Sequence, residues 1–349
     1  MKFIHIVGTR PNFMKLASLI NVMKDEFECK VIHTGQHYDK NMSEVFFKDL
    51  NLDEPDYYLG IKGGTHAKQT GEALIKIEEI LEQEKPDGVI VYGDVNATLS
   101  GALAATKLHI PLIHVESGSR SFDKRMPEEV NRIMVDHVSD ILLTCDFEAQ
   151  NNLYMEGIEE NVHVVGNTAI DTFKMVLGDL EDAPRPIEGD YVLCTLHRPS
   201  NVDDMERLNS IMVNLEKIPY KIIFPAHPRV RKIAQFSPDF YLPDNVEFVS
   251  PLGYGEFVNH LKHCKFAISD SGGVQCECTV LKKRLITIRD TTEHTLSVEL
   301  GANVLCYKPE DIKPNLWEDI DFNYELPYIW DGDTSKRIVE IIKSYYEQS

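Results

Sequence analysis

An α/β protein built from two doubly wound, Rossmann-like domains is what this sequence predicts, and three observations carry the expectation. Apolar runs of strand length alternate with stretches of helix length, as in parallel sheets covered on both faces. Residues 178–189, with Pro184, Pro186 and several acidic residues, interrupt the alternation as a linker, and it restarts at Tyr191. Strand ends run repeatedly into glycines and charged residues, where open α/β sheets hold ligands. The domains so read are 1–177 and 190–330, followed by an amphipathic helix from Ser335 to Tyr346. Two such domains on one linker imply a ligand cleft between them.

Taken in order, Phe3 to Val7 is an apolar strand, and Gly8-Thr9-Arg10-Pro11 turns it into a helix. Proline is favoured there because the N–H it lacks would be unpaired anyway. Arg10 and Lys15 can both point past that strand's carboxyl end. Val31 to Thr34 is a second strand, followed by Gly35-Gln36-His37 and a helix around 43–50. A long helix, roughly Ala67 to Glu82, precedes the strand Val89 to Tyr92, which Gly93-Asp94 closes. Ala97 to Leu108 is a small-residue helix suited to tight packing on the sheet. Pro111 to Val115 then leads to Glu116 and the turn Ser117 to Arg120. Asp94 and Glu116 thus fall at the ends of strands and should lie side by side, with Arg120 near. Carboxylates at such positions cap helices or bind ribose as often as they react. Pro127-Glu128-Glu129 opens a helix whose first turn suits negative charge. Arg132, four residues after Glu128, shares its face and can pair with it. Further strands at Ile141 to Leu143 and Val162 to Val165 complete the first half.

In the second half, Tyr191 to Thr195 ends at His197-Arg198, and Ile222 to Pro225 and Val246 to Val249 are further strands. Phe266 to Ile268 runs into Ser269-Asp270-Ser271-Gly272-Gly273 and a helix from Val274. A strand, a glycine turn and a helix N-terminus make an anion site, because the first N–H groups are unpaired and the dipole favours negative charge. Ser271 adds a hydroxyl, and Gln275 and Glu277 sit one turn in, where a ribose can be held. An ordinary strand-to-helix turn has the same local sequence. Strands at Arg284 to Arg289 and Asn303 to Leu305 follow.

Composition narrows the class. The 349 residues are 43% hydrophobic and 26% charged, with 36 Lys plus Arg against 56 Asp plus Glu and a net charge of −20. Nucleic acid and acidic membrane surfaces are therefore poor partners, and cations for an anionic ligand must be gathered locally. No run approaches the roughly 20 apolar residues of a membrane span. Seven scattered cysteines fit reduced thiols and a cytoplasmic protein rather than a disulfide framework, and no zinc-ligand spacing occurs.

The ordered set Gly8-Thr9-Arg10-Pro11 with Lys15, Thr34-Gly35-Gln36-His37, Gly93-Asp94, His114-Val115-Glu116, Pro127-Glu128-Glu129 with Asn131-Arg132, Gly166-Asn167-Thr168, His197-Arg198 with Asn201, and Asp270 to Gln275 resembles the non-hydrolysing UDP-N-acetylglucosamine 2-epimerases. The resemblance runs from Gly8 to about Gly301. It implies a glycosyltransferase-B fold whose final helix, 334–349, crosses back to the first domain. It also implies reversible inversion of UDP-GlcNAc at C2, giving UDP-ManNAc for cell-surface polysaccharide, by elimination and re-addition of UDP. Asp94, Glu116 and Glu128 would be the acid/base carboxylates, assisted by His197. Arg10, Lys15 and Arg132 would surround the sugar diphosphate, Ser271, Gly272 and Gly273 would take phosphates, and Gln275 and Glu277 would bind nearby, Glu277 at the ribose. No metal or nicotinamide is required, and the family suggests a homodimer.

This chain departs from the family's pattern at Ser117, Ser119, Cys276 and His294. Other stretches, including Met126-Pro127 and His227-Pro228-Arg229, are similar to the branch acting on UDP-2,3-diacetamido-uronates. Epimerisation of such a related sugar, or nucleotide-sugar binding without catalysis, are the alternatives. Many bacterial relatives also have an activating UDP-GlcNAc site; here Gln36, His37 and Lys68 occupy its positions. A lysine there lacks the bidentate grip of arginine.

Overall fold

The structure is a computed structural model and describes residues 1–35, 47–226, 228–292, 294–318 and 322–348. The chain divides into two compact units. Unit 1 comprises Met1–Met175 with Pro327–Ser349, and unit 2 comprises Val176–Leu326.

Unit 1 contains β1 (Lys2–Val7), α1 (Arg10–Met23), β2 (Glu28–His33), β3 (Tyr57–Tyr58), α2 (His66–Glu84), β4 (Gly88–Tyr92), α3 (Asn96–Lys107) and β5 (Leu112–Ser117). It continues through α4 (Pro127–Val138), β6 (Ile141–Thr144), α5 (Phe147–Met155), β7 (Val162–Val164) and the start of α6 (Thr168–Asp179). The strands form one parallel seven-stranded sheet in the order β3-β2-β1-β4-β5-β6-β7. Sequence order therefore reverses between β1 and β4, which opens a crevice at their carboxyl ends. The central strands are apolar on both faces, as helices on both sides require: all five residues of β4 are buried. Ile4, Ile6, Val89 and Val91 pack against the alanines of α3, as the small-residue pattern predicts.

Unit 2 contains β8 (Tyr191–Thr195), α7 (Pro199–Val202), α8 (Met205–Leu215), β9 (Lys221–Pro225), α9 (Pro228–Phe236), β10 (Val246–Val249), α10 (Tyr254–His263), β11 (Ala267–Ser269), α11 (Gly272–Val280), β12 (Leu285–Thr287), α12 (Thr295–Glu299) and β13 (Asn303–Leu305). Its parallel sheet runs β10-β9-β8-β11-β12-β13, so the order reverses between β8 and β11. Helix α13 (Thr334–Gln348) belongs to unit 1 and packs against α1. There Ser335 N–H donates to Asp171 Oδ2 at 2.8 Å, Lys343 pairs with Glu26 at 2.8 Å, and the Tyr346 hydroxyl donates to Asp87 O at 2.7 Å.

Three local readings differ from the sequence expectation. Strand β3 is only two residues long, too short to leave a periodic signal. Helix α6 runs to Asp179, past Gly178, because nothing before Pro184 breaks it. The last strand before α12 is confined to Leu285–Thr287. The helix expected around 43–50 falls mostly outside the described residues.

Candidate functional site

In unit 1 the crevice between β1 and β4 collects charge. Asn12, 2% exposed, ties the two strand ends together: its Oδ1 accepts from Gly8 and Thr9 N–H at 3.1 Å, and its Nδ2 donates to Tyr92 O at 3.2 Å. Lys15, one turn further along α1, forms an ion pair with Glu116. A Cβ on Gly93 would fall 2.7 Å from the Lys15 ammonium, so glycine here makes room for the cation. Burial disfavours the charge on Lys15, but Glu116 and then Asp94 outweigh it and raise its pKa, keeping it protonated. Arg10 lies exposed at the start of α1.

Asp94 pairs with Arg132. Burial raises its pKa, Lys15 and Arg132 oppose the rise, and the negative Glu116 and Glu128 add to it; the balance is a carboxyl that keeps its proton to higher pH than usual. The helical spacing pointed to an Arg132–Glu128 pair. Instead Arg132 bonds Asp94 and Glu129, the latter at 2.9 Å. Glu129 is 1% exposed and also accepts from Ser121 and Phe122 N–H at 2.9 and 2.8 Å. Burial works against its charge, but these bonds outweigh it and lower its pKa, so Glu129 fixes the loop before α4. Glu128 stays half-buried and forms no ion pair among the described residues. Asn131 Nδ2 donates to Asp94 O at 2.8 Å. Arg120 does not join the group: its side chain is 1% exposed and is held by Asp136 and Glu156, both at 2.7 Å.

Unit 2 places its site at the ends of β8 and β11. Buried Asp270 accepts from the N–H groups of His197 and Arg198, from Asn201 Nδ2 at 3.1 Å, and from His197 Nδ1 at 3.0 Å. Burial raises its pKa, and the bonds from His197, Asn201 and Arg198 more than reverse this. A carboxylate on Nδ1 fixes the tautomer, leaving Nε2 of the half-exposed His197 as the outward nitrogen. Arg207 Nε in turn donates to Asn201 Oδ1 at 3.2 Å.

Ser271 caps α11, and Gly272 and Gly273 are its first residues, with Gly273 exposed. Three candidate phosphate contacts therefore lie together at a helix N-terminus. Gln275 does not join them. It is fully buried, its Oε1 accepts from Thr292 Oγ1 and Asn303 Nδ2 at 2.7 Å, and its Nε2 donates to Ser271 O at 3.4 Å, so it braces the loop after β12. Glu277 is half-buried, and the Tyr254 hydroxyl donates to its Oε1 at 2.7 Å. Two departures from the family pattern meet here, with Cys276 Sγ 3.4 Å from His294 Nδ1. Gln36 and His37 lie outside the described residues. Lys68 is exposed on α2 and pairs with Glu72 at 3.7 Å. No group of three His, Cys, Asp or Glu side chains suited to a metal occurs among the described residues.

Sequence reasoning passed over Asn12 and Arg207 as site-building residues, and it noted Asp270 beside the glycine turn without its partners. Each acts through partners distant in the chain, which local spacing cannot reveal. Asp270 binds fewer protons folded than unfolded, so its bonds stabilise unit 2 above the ordinary carboxylate range, about pH 4, and are lost as pH falls through the lower folded value. Asp270→Asn should therefore cost unit 2 about 1–3 kcal/mol near neutral pH and flatten the acid limb of its thermal stability. A variant with an unchanged acid limb would show that the limb arises elsewhere.

The family model for UDP-N-acetylglucosamine 2-epimerase matches residues 21–343. A UDP-N-acetylglucosamine 2-epimerase of Methanocaldococcus jannaschii is 42% identical, covering 98% of this chain and 99% of its own. A UDP-2,3-diacetamido-2,3-dideoxy-D-glucuronate 2-epimerase of Pseudomonas aeruginosa is 39% identical over 98% of this chain and 99% of its own. A crystal structure of the M. jannaschii UDP-GlcNAc 2-epimerase in complex with UDP-GlcNAc and UDP superposes with a TM-score of 0.87 at 41% identity, covering 99% of this chain and 100% of that one. With a family model spanning most of its length and relatives matched end to end, the chain belongs to the UDP-N-acetylglucosamine 2-epimerase family.

Proposed function

We propose that this protein interconverts UDP-GlcNAc and UDP-ManNAc by inverting C2, supplying an activated sugar for cell-surface polysaccharide. The observation that carries the reading is the carboxyl pair Asp94 and Glu116, held with Lys15 and Arg132 where β1 and β4 diverge. Inversion requires a proton to leave one face of C2 and another to arrive on the opposite face. One carboxyl must be empty and one loaded, and the raised pKa of Asp94 suits it to the loaded role. Glu116, paired with Lys15, is the proton acceptor in one direction. Asp94, whose pKa is raised, is the group that holds a proton. Glu128 adds the negative field that keeps it there.

As the C2–H bond breaks, its electrons form the C1=C2 double bond and the C1–O bond to UDP breaks. Re-addition of the UDP oxygen to C1, with protonation of C2 from the other face, completes the inversion. The departing diphosphate needs positive charge and N–H donors. Arg10, Lys15 and Arg132 serve one end of the nucleotide sugar, and Ser271, Gly272 and Gly273 take its phosphates. His197 Nε2 accepts from a sugar hydroxyl, or as the protonated imidazolium donates to the diphosphate, and Glu277, oriented by Tyr254, takes the ribose hydroxyls. In D2O, deuterium should appear at C2 of recovered UDP-GlcNAc and of UDP-ManNAc. Asp94→Asn, Glu116→Gln and Glu128→Gln should each lower exchange by about 10²–10⁴-fold. The Pseudomonas relative favours a second reading, in which the sugar is a UDP-2,3-diacetamido-uronate. Testing both sugars side by side decides between them, and no C2 exchange with either would reject both.

Two further elements of the reading concern assembly and location. Met126, which caps α4, and Val130 and Met134 along it recur every four residues and are 40%, 39% and 40% exposed. An apolar stripe of this kind supports a homodimer in which a second copy covers it. All seven cysteines are free thiols, which fits a reducing cytoplasm, and no helix among the described residues is long and apolar enough to cross a membrane. Met134→Glu should halve the mass measured by sedimentation. A wild-type protein that sediments as a monomer at micromolar concentration would remove the dimer.

A further inference from the structure

The ends of β4 and β5 are joined by a buried hydrogen-bond hub that takes no part in the chemistry above. Asp136, on α4 and 1% exposed, is its centre. Its Oδ1 faces His114 Nδ1 at 2.6 Å, and its Oδ2 accepts from Gly118 N–H at 3.1 Å and Arg120 Nη1 at 2.7 Å. Fully buried His114 uses its other nitrogen, Nε2, to donate to Gly93 O at 2.8 Å. Burial pushes the Asp136 carboxyl up, and His114 and Arg120 more than reverse this, so it remains an acceptor on both oxygens. Arg120 is itself held by both oxygens of Glu156, at 2.7 and 2.8 Å.

The hub grips the chain on both sides of Glu116, through the His114 side chain two residues before it and the Gly118 N–H two residues after it. Between these holds Glu116 sits at φ +70°, where the pairing of β5 with β6 shifts register between Val115 and Ser117. A left-handed backbone is unfavourable for a glutamate and persists only where surrounding structure enforces it. Gly118, at φ +76°, closes the turn, and a Cβ there would lie 2.2 Å from Ala149 O. The same hub reaches the other carboxyl. Gly93, the residue before Asp94, donates its N–H to Val115 O at 3.0 Å and accepts His114 Nε2 on its carbonyl. Both backbone polar atoms of Gly93, the residue leading into Asp94, are thus held by β5.

We infer that Asp136 is a positioning residue for the C2 chemistry: through His114 and Gly118 it sets the direction in which Glu116 leaves β5 and its spacing from Asp94. The inference rests on the reading of Asp94 and Glu116 as the proton-transferring pair. Asp136 acts on turnover rather than on nucleotide capture, since a reaction that exchanges protons between two faces depends on where both carboxyls stand.

Asp136→Asn keeps the size of the side chain but gives up an acceptor, so it cannot serve His114, Gly118 and Arg120 together. With active sites counted by UDP titration, kcat for C2 exchange should fall about 10–100-fold, the scale of a misplacement near 1 Å, while KM changes less than about threefold. A second pair of variants keeps the test open if Asp136→Asn does not fold. His114→Gln retains an N–H for Gly93 O and should keep a larger share of kcat than His114→Ala. Unchanged kcat per UDP site with only a lower melting temperature, or a loss confined to KM, would overturn the inference. If Asp94→Asn and Glu116→Gln themselves exchange at the wild-type rate, the acid/base reading falls first, and the inference with it.

Discussion

Two carboxyls at the ends of β4 and β5 meet a lysine from the first half of α1, and their mutual charge is the condition on which this face of unit 1 rests. At an effective dielectric near 20, unit charges about 4 Å apart interact by about 4 kcal/mol, enough to decide protonation states. In a chain of net charge −20 the surrounding field opposes an anionic ligand, so cations to hold one have to be concentrated at the site. Lys15 must therefore be brought in by the fold. Helix α1 does this by starting immediately after β1, with Asn12 binding its first turn to the end of β4. Arg132 arrives from α4 and is shared between Asp94 and Glu129. The cations belong to elements that also build the core, so the charge balance and the packing of this face are one problem.

Unit 2 solves the opposite problem with the opposite means. Its candidate site offers the N–H groups of a helix N-terminus, and the buried carboxylate Asp270 is consumed by the turn after β8. That carboxylate shapes the loop bearing His197 while α11 begins directly after it. A single residue at the end of β11 thus sets the position of the imidazole and precedes the start of the helix whose N-terminus is the candidate phosphate site.

The alternation of strands and helices was legible in the chain because each central strand is apolar throughout and each connection is short. Asp94, Glu116, His197 and Ser271 were legible for the same reason, as polar residues immediately beyond apolar runs. What the sequence could not convey is choice among partners. Helical spacing puts Arg132 near both Glu128 and Glu129, and only the N–H groups of Ser121 and Phe122, which draw in the Glu129 carboxylate, decide that Glu129 is the partner. Arg120 stands beside Glu116 in the chain but turns to Asp136 and Glu156, which come from helices further on. Gln275 has the right offset from the glycine turn, yet Asn303, from a strand two crossovers away, claims its carbonyl. Strand β3, with two residues, lies below the length at which periodicity carries information.

The return of α13 has a consequence for the order in which the protein is made. Helix α1, which carries Lys15, is covered on one side by residues 334–348, and Ser335 and Tyr346 bond to Asp171 and Asp87. All of unit 2, Val176–Leu326, is synthesised between those partners. On the ribosome the earlier unit therefore waits, with one face of α1 bare, while the later unit has its whole sequence available. Unit 2 is the first of the two that translation permits to finish, and the helix made after it closes the unit made before it.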